Sequence, residues 1–199
     1  MKMNLSKLAI IALLFSASCA SLFQDDEIHV EPIDYIVGSA KLDYKKFFNG
    51  AVDGFSITKD QNGKIISTKK VYIDAEWEAN KGVIKHKYVY NDGKKDSRTW
   101  LVTLSKDGTF DAVGHDVAVP ARGKQIANAA QSTYTLRIKD NQRSDDIFYE
   151  DRMYLVDEDY MIIITNYKRK KPDPSPEASE NFGQIITSLT KVRSYKEND

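Results

Sequence analysis

Residues 65–104 alternate apolar and polar side chains through three successive runs separated by two turn signals. In the first run, Ile65, Val71, Ile73, Ala75 and Trp77 share one side of an extended chain, and Thr68, Lys70, Tyr72, Asp74 and Glu76 share the other. A period of two marks an antiparallel strand with one face in a core and one in water. Asn80-Lys81-Gly82 predicts a turn into residues 83–90, where Ile84, His86, Tyr88 and Tyr90 lie on one side. Asn91-Asp92-Gly93 predicts a second turn, into residues 98–104. Asn and Asp tolerate positive φ and Gly has no Cβ to clash, so both signals suit hairpins. Such a meander must bury its apolar face against further sheet, which constrains everything around it.

The flanking sequence extends the same grammar. Val52, Gly54, Ser56 and Thr58 predict a first strand ending at Gln61-Asn62-Gly63. After Lys106-Asp107-Gly108, residues 109–114 read as a strand and residues 115–130, with Pro120 and Gly123, as an irregular stretch. Tyr134, Leu136 and Ile138 predict another strand, and Ile147, Tyr149, Met153 and Leu155 the one after it. Asp157-Glu158-Asp159 turns into the nearly continuous apolar run of residues 160–167. Lys168-Arg169-Lys170-Lys171 reads as a solvated basic loop, and Pro172, Pro174 and Pro176 as an extended connector. Ser175-Pro176-Glu177 can open a short helix that Gly183 closes, before a last strand over residues 184–192. About eight to ten strands without βαβ spacing leave a sandwich or a closed barrel. The plain meander order and the removal of edges favour an all-β, antiparallel up-and-down barrel, with the last strand sealing it against an early one.

The N-terminus predicts an export signal. Lys2 and Lys7 precede the apolar run of residues 8–15, which is too short to span a bilayer. Small residues then lead to Cys19, the only cysteine. A lipidated Cys19 is expected to anchor the chain in the membrane, with Ala20 after it favouring an outer-membrane lipoprotein facing the periplasm. Cleavage after Ala20, giving a soluble periplasmic protein, is the alternative. The expected layout is a signal and lipobox over 1–19, a tether over 20–44, the barrel over 45–193 and a tail over 194–199. Lys plus Arg equal Asp plus Glu at 29 each, which argues against a nucleic-acid partner.

Several short motifs recur in a fixed order: Phe47-Phe48-Asn49-Gly50, Tyr90-Asn91-Asp92-Gly93, Arg98 with Trp100, Asp116-Val117, Gly123, Asn128-Ala129, Tyr134-Thr135-Leu136, Met153-Tyr154-Leu155 and Phe182-Gly183. In that order they resemble a family of small bacterial lipoproteins of uncharacterised function, assigned to the calycin (lipocalin-like) barrels. The resemblance covers about residues 47–192. Arg152 departs from it where the family tends to have Trp, and Ala127 where it tends to have Gly. It implies a barrel and an envelope address, and no established activity.

Chemistry is harder to read. No metal or phosphate motif is present, no cofactor is expected, and the His115-Asp116 pair sits in a predicted loop where neighbours point apart. The strand phases instead gather Trp77, His86, Tyr88, Arg98, Trp100, Tyr134, Tyr149 and Met153 as candidate pocket residues. These side chains fill a core or wall an apolar pocket with polar anchors, and the sequence leaves both open. Arg98 shares a face with Trp100 and needs a partner, for which Asp151 is a candidate. The leading expectation is an envelope lipoprotein, not an enzyme, that binds a lipid or other small hydrophobic molecule. A filled, non-catalytic accessory barrel is the alternative, and a hydrolase or isomerase in the barrel mouth a distant third.

Overall fold

The computed structural model describes residues 33–35, 40–140, 143–169 and 182–192. The signal, Cys19, most of the tether, the proline connector with its expected helix, and the tail lie outside these residues. The ten strands are β1 (Gly50–Asp60), β2 (Ile65–Glu78), β3 (Lys81–Tyr90), β4 (Lys95–Leu104), β5 (Thr109–Val113), β6 (Val117–Ile126), β7 (Ala129–Asp140), β8 (Arg143–Asp157), β9 (Tyr160–Arg169) and β10 (Phe182–Lys191). Each pairs antiparallel with its chain neighbour, and β10 pairs with β1 from Val52↔Lys191 to Asp60↔Gly183. The predicted closed up-and-down barrel is therefore what forms, sealed by the last strand as expected. Closure leaves no edge to template pairing with another chain.

The differences from the sequence reading have local causes. The first hairpin turns one residue earlier than Asn80-Lys81-Gly82 suggests, because Glu78 already pairs with Lys81. Ala79 takes the left-handed backbone, at φ 49°, and Gly82 lies inside β3. The Trp77 indole covers Gly82 so closely that a Cβ there would lie 2.7 Å from the ring. Residues 115–130 are not irregular: they hold β6 and the start of β7. Pro120 hid that strand. Proline cannot donate to a ladder, and the register shifts on both sides of Val119 absorb it as bulges. Gly183 belongs to β10, where the Tyr167 ring occupies the space a side chain would need.

The inner faces make one core. Val52, Val71, Ile73, Ala75, Ile84, Val102, Phe110, Ala121, Met153, Leu155, Met161 and Leu189 are buried in it. One end of the barrel carries the turns β2–β3, β4–β5, β6–β7 and β8–β9, and there the chain enters through α1 (Tyr44–Phe47). Asp43 caps this single turn by accepting from the Lys46 amide at 2.9 Å. Lys191 Nζ donates to the carbonyls of Lys46, Phe47 and Asn49 at 2.7, 3.1 and 3.1 Å, satisfying acceptors the short helix leaves free. Leu42 and Tyr44, read from sequence as the end of the tether, are only 1% and 8% exposed. With Phe47 and Phe48 they stopper this end of the barrel.

Candidate functional site

Going up the strands from the stopper, the inward side chains change character. β3 offers Ile84, then His86, then Tyr88; β4 offers Val102, then Trp100, then Arg98. β8 runs the same way as β4 and offers Met153 and then Asp151. A cavity of about 100 Å³ sits at this transition. Phe48, Phe110, Val102 and Met153 are among its apolar lining, and His86, Tyr88, Arg98, Ser132, Tyr134 and Asp151 are its polar lining.

Six of the eight sequence candidates, His86, Tyr88, Arg98, Trp100, Tyr134 and Met153, therefore meet at one cavity. Tyr149 stands behind Tyr134, with ring centroids 5.2 Å apart and planes 11° apart, in a row that Trp100 and Tyr167 extend. Trp77 belongs to the stopper instead. Its indole N–H donates to the Phe48 carbonyl at 3.2 Å, and its ring meets Tyr44 edge-on at 6.4 Å.

Arg98 has a different partner from the expected Asp151. Its Nε and Nη2 grip Asp116 from two sides, at 2.9 and 2.7 Å to Oδ2 and 3.1 Å from Nε to Oδ1. Burial works against the Asp116 charge, but the Arg98 hydrogen bonds hold its carboxyl below the usual range. Sequence reasoning set Asp116 aside because its neighbour His115 points elsewhere. The relevant spacing was across β4 and the β5–β6 connection, which no local motif announces.

Asp151 keeps its charge free of any cation within salt-bridge distance among the described residues. It accepts a 2.6 Å hydrogen bond from Thr165 Oγ1 on β9 and another from Tyr134 on β7. Burial pushes its carboxyl up to about 6, against these two hydrogen bonds and the pull of Arg98. His86 Nδ1 and the Tyr88 hydroxyl share a hydrogen bond of 2.9 Å. Burial, then Arg98 and Lys69, lower His86 to about 3, so it is a neutral imidazole at physiological pH. Lys69 was missed in the sequence because a lysine interrupts the apolar phase of β2. It points inward at the mouth, with Nζ 4.3 Å from the Tyr88 ring centroid, and burial lowers it to about 8. Among the described residues, no group of three or more His, Cys, Asp and Glu could hold a metal ion.

The barrel has known structural neighbours. An S-type phycobiliprotein lyase from Guillardia theta matches with a TM-score of 0.54 at 9% identity, over 73% of this chain and 89% of that one. A protein of unknown function from the DUF3598 family, from Nostoc punctiforme, matches with a TM-score of 0.50 at 9% identity, over 77% of this chain and 51% of that one. At such identities the likeness is one of fold, a lipocalin-like barrel. No curated protein matches the sequence. A family profile does match it, over residues 25–169, and the chain thus belongs to DUF3833, a family of proteins of unknown function.

Proposed function

We propose that this protein is a binding barrel whose open half takes a small molecule with an apolar body and a polar end. The observation that carries this reading is the cavity between the stopper and the mouth, with an apolar floor and a polar, aromatic wall. Sites for ligands combine such a surface with a few placed polar groups. The size limits the ligand. At about 100 Å³ the cavity is smaller than the roughly 150 Å³ that holds benzene in an engineered core, so the part of a ligand it encloses is no larger than one small ring or a short chain. A lipid would enter by one end only, with the remainder in the mouth. Binding is the reading favoured here: Arg98 and Asp116 satisfy each other, and burial holds His86 neutral. The address belongs to the same proposal: the signal followed by Cys19 supports an acylated outer-membrane lipoprotein, with the barrel in the periplasm.

Mass spectrometry of the protein, released gently from its native membrane, tests both parts. The expected result is a diacylated or triacylated Cys19 and a small molecule that leaves on denaturation. A mature N-terminus at Ser21 would overturn the anchor. An empty protein that no small aromatic or aliphatic compound stabilises would overturn the carrier and leave an accessory barrel.

A further inference from the structure

Arg98 is the cavity's most obvious charge, and it is already spent on Asp116. The pair carries no net charge, although Arg98 is the member that lines the cavity and its pull is felt at Asp151 and His86. His86 is neutral as well. The remaining charge on the cavity wall is Asp151. Thr165 and Tyr134 occupy part of its hydrogen-bonding capacity, and a carboxylate has about four acceptor sites. A half-buried carboxylate without a cation is partly desolvated, and a donor arriving from the lumen would relieve that cost. The rings of Trp100, Tyr134 and Tyr88 line the same cavity and give the ligand an aromatic wall. Lys69 lies farther out, against Tyr88 and Tyr90. Its charge is felt at His86.

We infer that Asp151 is the polarity-reading group of the lumen, and that the ligand turns a protonated amine or another charged N–H donor toward it. The inference rests on the proposed lumen binding and names its ligand class. A carboxylate ligand would meet Asp151 head-on, and the cation that might have received it is held by Asp116. The ligand's apolar body then lies along Trp100 and Met153, above Phe48 and Phe110.

Three probes of one size and different charge test this: benzylamine, benzyl alcohol and benzoate, titrated calorimetrically into the wild type near neutral pH. Benzylamine is expected to bind about tenfold more tightly than benzyl alcohol, the value of one charge-assisted hydrogen bond, with benzoate weakest. Asp151→Asn keeps the shape and is expected to erase the preference for benzylamine over benzyl alcohol. Should that variant not fold, the wild type still decides by pH. The ratio of benzylamine to benzyl alcohol affinity should fall as the pH drops through about 6, where Asp151 takes up its proton. The other groups facing Asp151 are Arg98 from β4, Tyr88 and His86 from β3, Tyr134 from β7, Tyr149 from its own strand and Tyr44 from the stopper; Glu150 turns outward, to Gln131 and Arg152. Arg98 stays charged, burial pushes the tyrosines up and His86 down, and none of these exchanges a proton in this window. Benzoate binding as tightly as benzylamine, or a pH-independent ratio, would overturn the inference and leave lumen binding intact. If none of the three probes binds, both the inference and the carrier reading fall.

Discussion

The two halves of this lumen are built from the same strands and behave as different materials. In the stoppered half, β3, β4 and β8 contribute Ile84, Val102 and Leu155, all at 6% exposure or less, packed on Phe47 and Phe48 from the entering chain. A few residues along, the same three strands contribute Tyr88, Arg98 and Asp151, none of them in the buried core. Stability is concentrated where side chains interdigitate without polar atoms. Chemistry is concentrated where burial is incomplete and charges have to find partners. The strand alternation decides which side chains point inward; distance along the strand decides which half they serve.

The largest expected effect is at the stopper. Phe47→Ala removes a ring that is 2% exposed, and is expected to lower stability by about 3–5 kcal/mol in chemical denaturation. Binding in the open half should survive wherever the variant stays folded. A loss below about 1 kcal/mol would mean that the barrel does not depend on its plug.

The open half is expected to answer to pH, through two groups of opposite sign. Asp151, raised to about 6 from 3.8, binds its proton more tightly in the folded state. Its contribution is largest below about pH 4 and is lost as pH rises through 6. His86, lowered to about 3 from 6.5, does the reverse: its contribution is complete above about pH 6.5 and is lost as pH falls through 3. Between pH 7 and 4 the two amount to about 2 kcal/mol gained and about 3 kcal/mol lost, nearly cancelling in the wild type. His86→Gln should therefore gain relative stability on acidification, and Asp151→Asn should lose it. Identical pH profiles in the two variants would show that neither group is desolvated by the lumen.

The contrast between the halves also explains what could be read in advance. The barrel was legible because inward residues repeat every second position and turns carry Asn, Asp and Gly, as at Asn91-Asp92-Gly93. The gathering of His86, Tyr88, Arg98 and Trp100 followed from the same phases. Polar partnerships did not, because they depend on strand stagger. Nothing in the chain reveals that Arg98 reaches Asp116 across the β5–β6 connection, or that Asp151 is held by Thr165 across the β8–β9 pair. Nor could phase alone separate Trp77 from Trp100, since both are inward tryptophans and only their height in the barrel differs. The stopper was missed because a four-residue helix has no periodicity to detect.

Smaller effects sharpen the picture. Arg98→Leu strands a partly buried Asp116 and is expected to cost about 2 kcal/mol, below the value for a fully buried pair because both side chains are 17% exposed. Adding Asp116→Leu should restore much of that loss, a coupling that thermal melts of the single and double variants can measure. An additive double variant would contradict the pairing. At the other end, Ala127 sits in the left-handed region at φ 49°, a backbone that glycine adopts without strain. Ala127→Gly is expected to raise stability by about 1 kcal/mol, as is Ala79→Gly at the matching turn. A loss at either turn would mean that the strain of the alanine is smaller than the added freedom of the unfolded chain.

The chain's two tryptophans fall one in each half, which allows the division to be measured directly. Trp77→Phe leaves Trp100 as the sole reporter at the cavity, and Trp100→Phe leaves Trp77 in the stopper. Each variant can be titrated with nitrobenzene, a neutral quencher of about the size the open half should admit. The account predicts saturable quenching of Trp100 accompanied by a rise in melting temperature, and weak, unsaturable quenching of Trp77. Equal, unsaturable quenching of both would contradict it, because a barrel filled from end to end has no half set aside for a ligand.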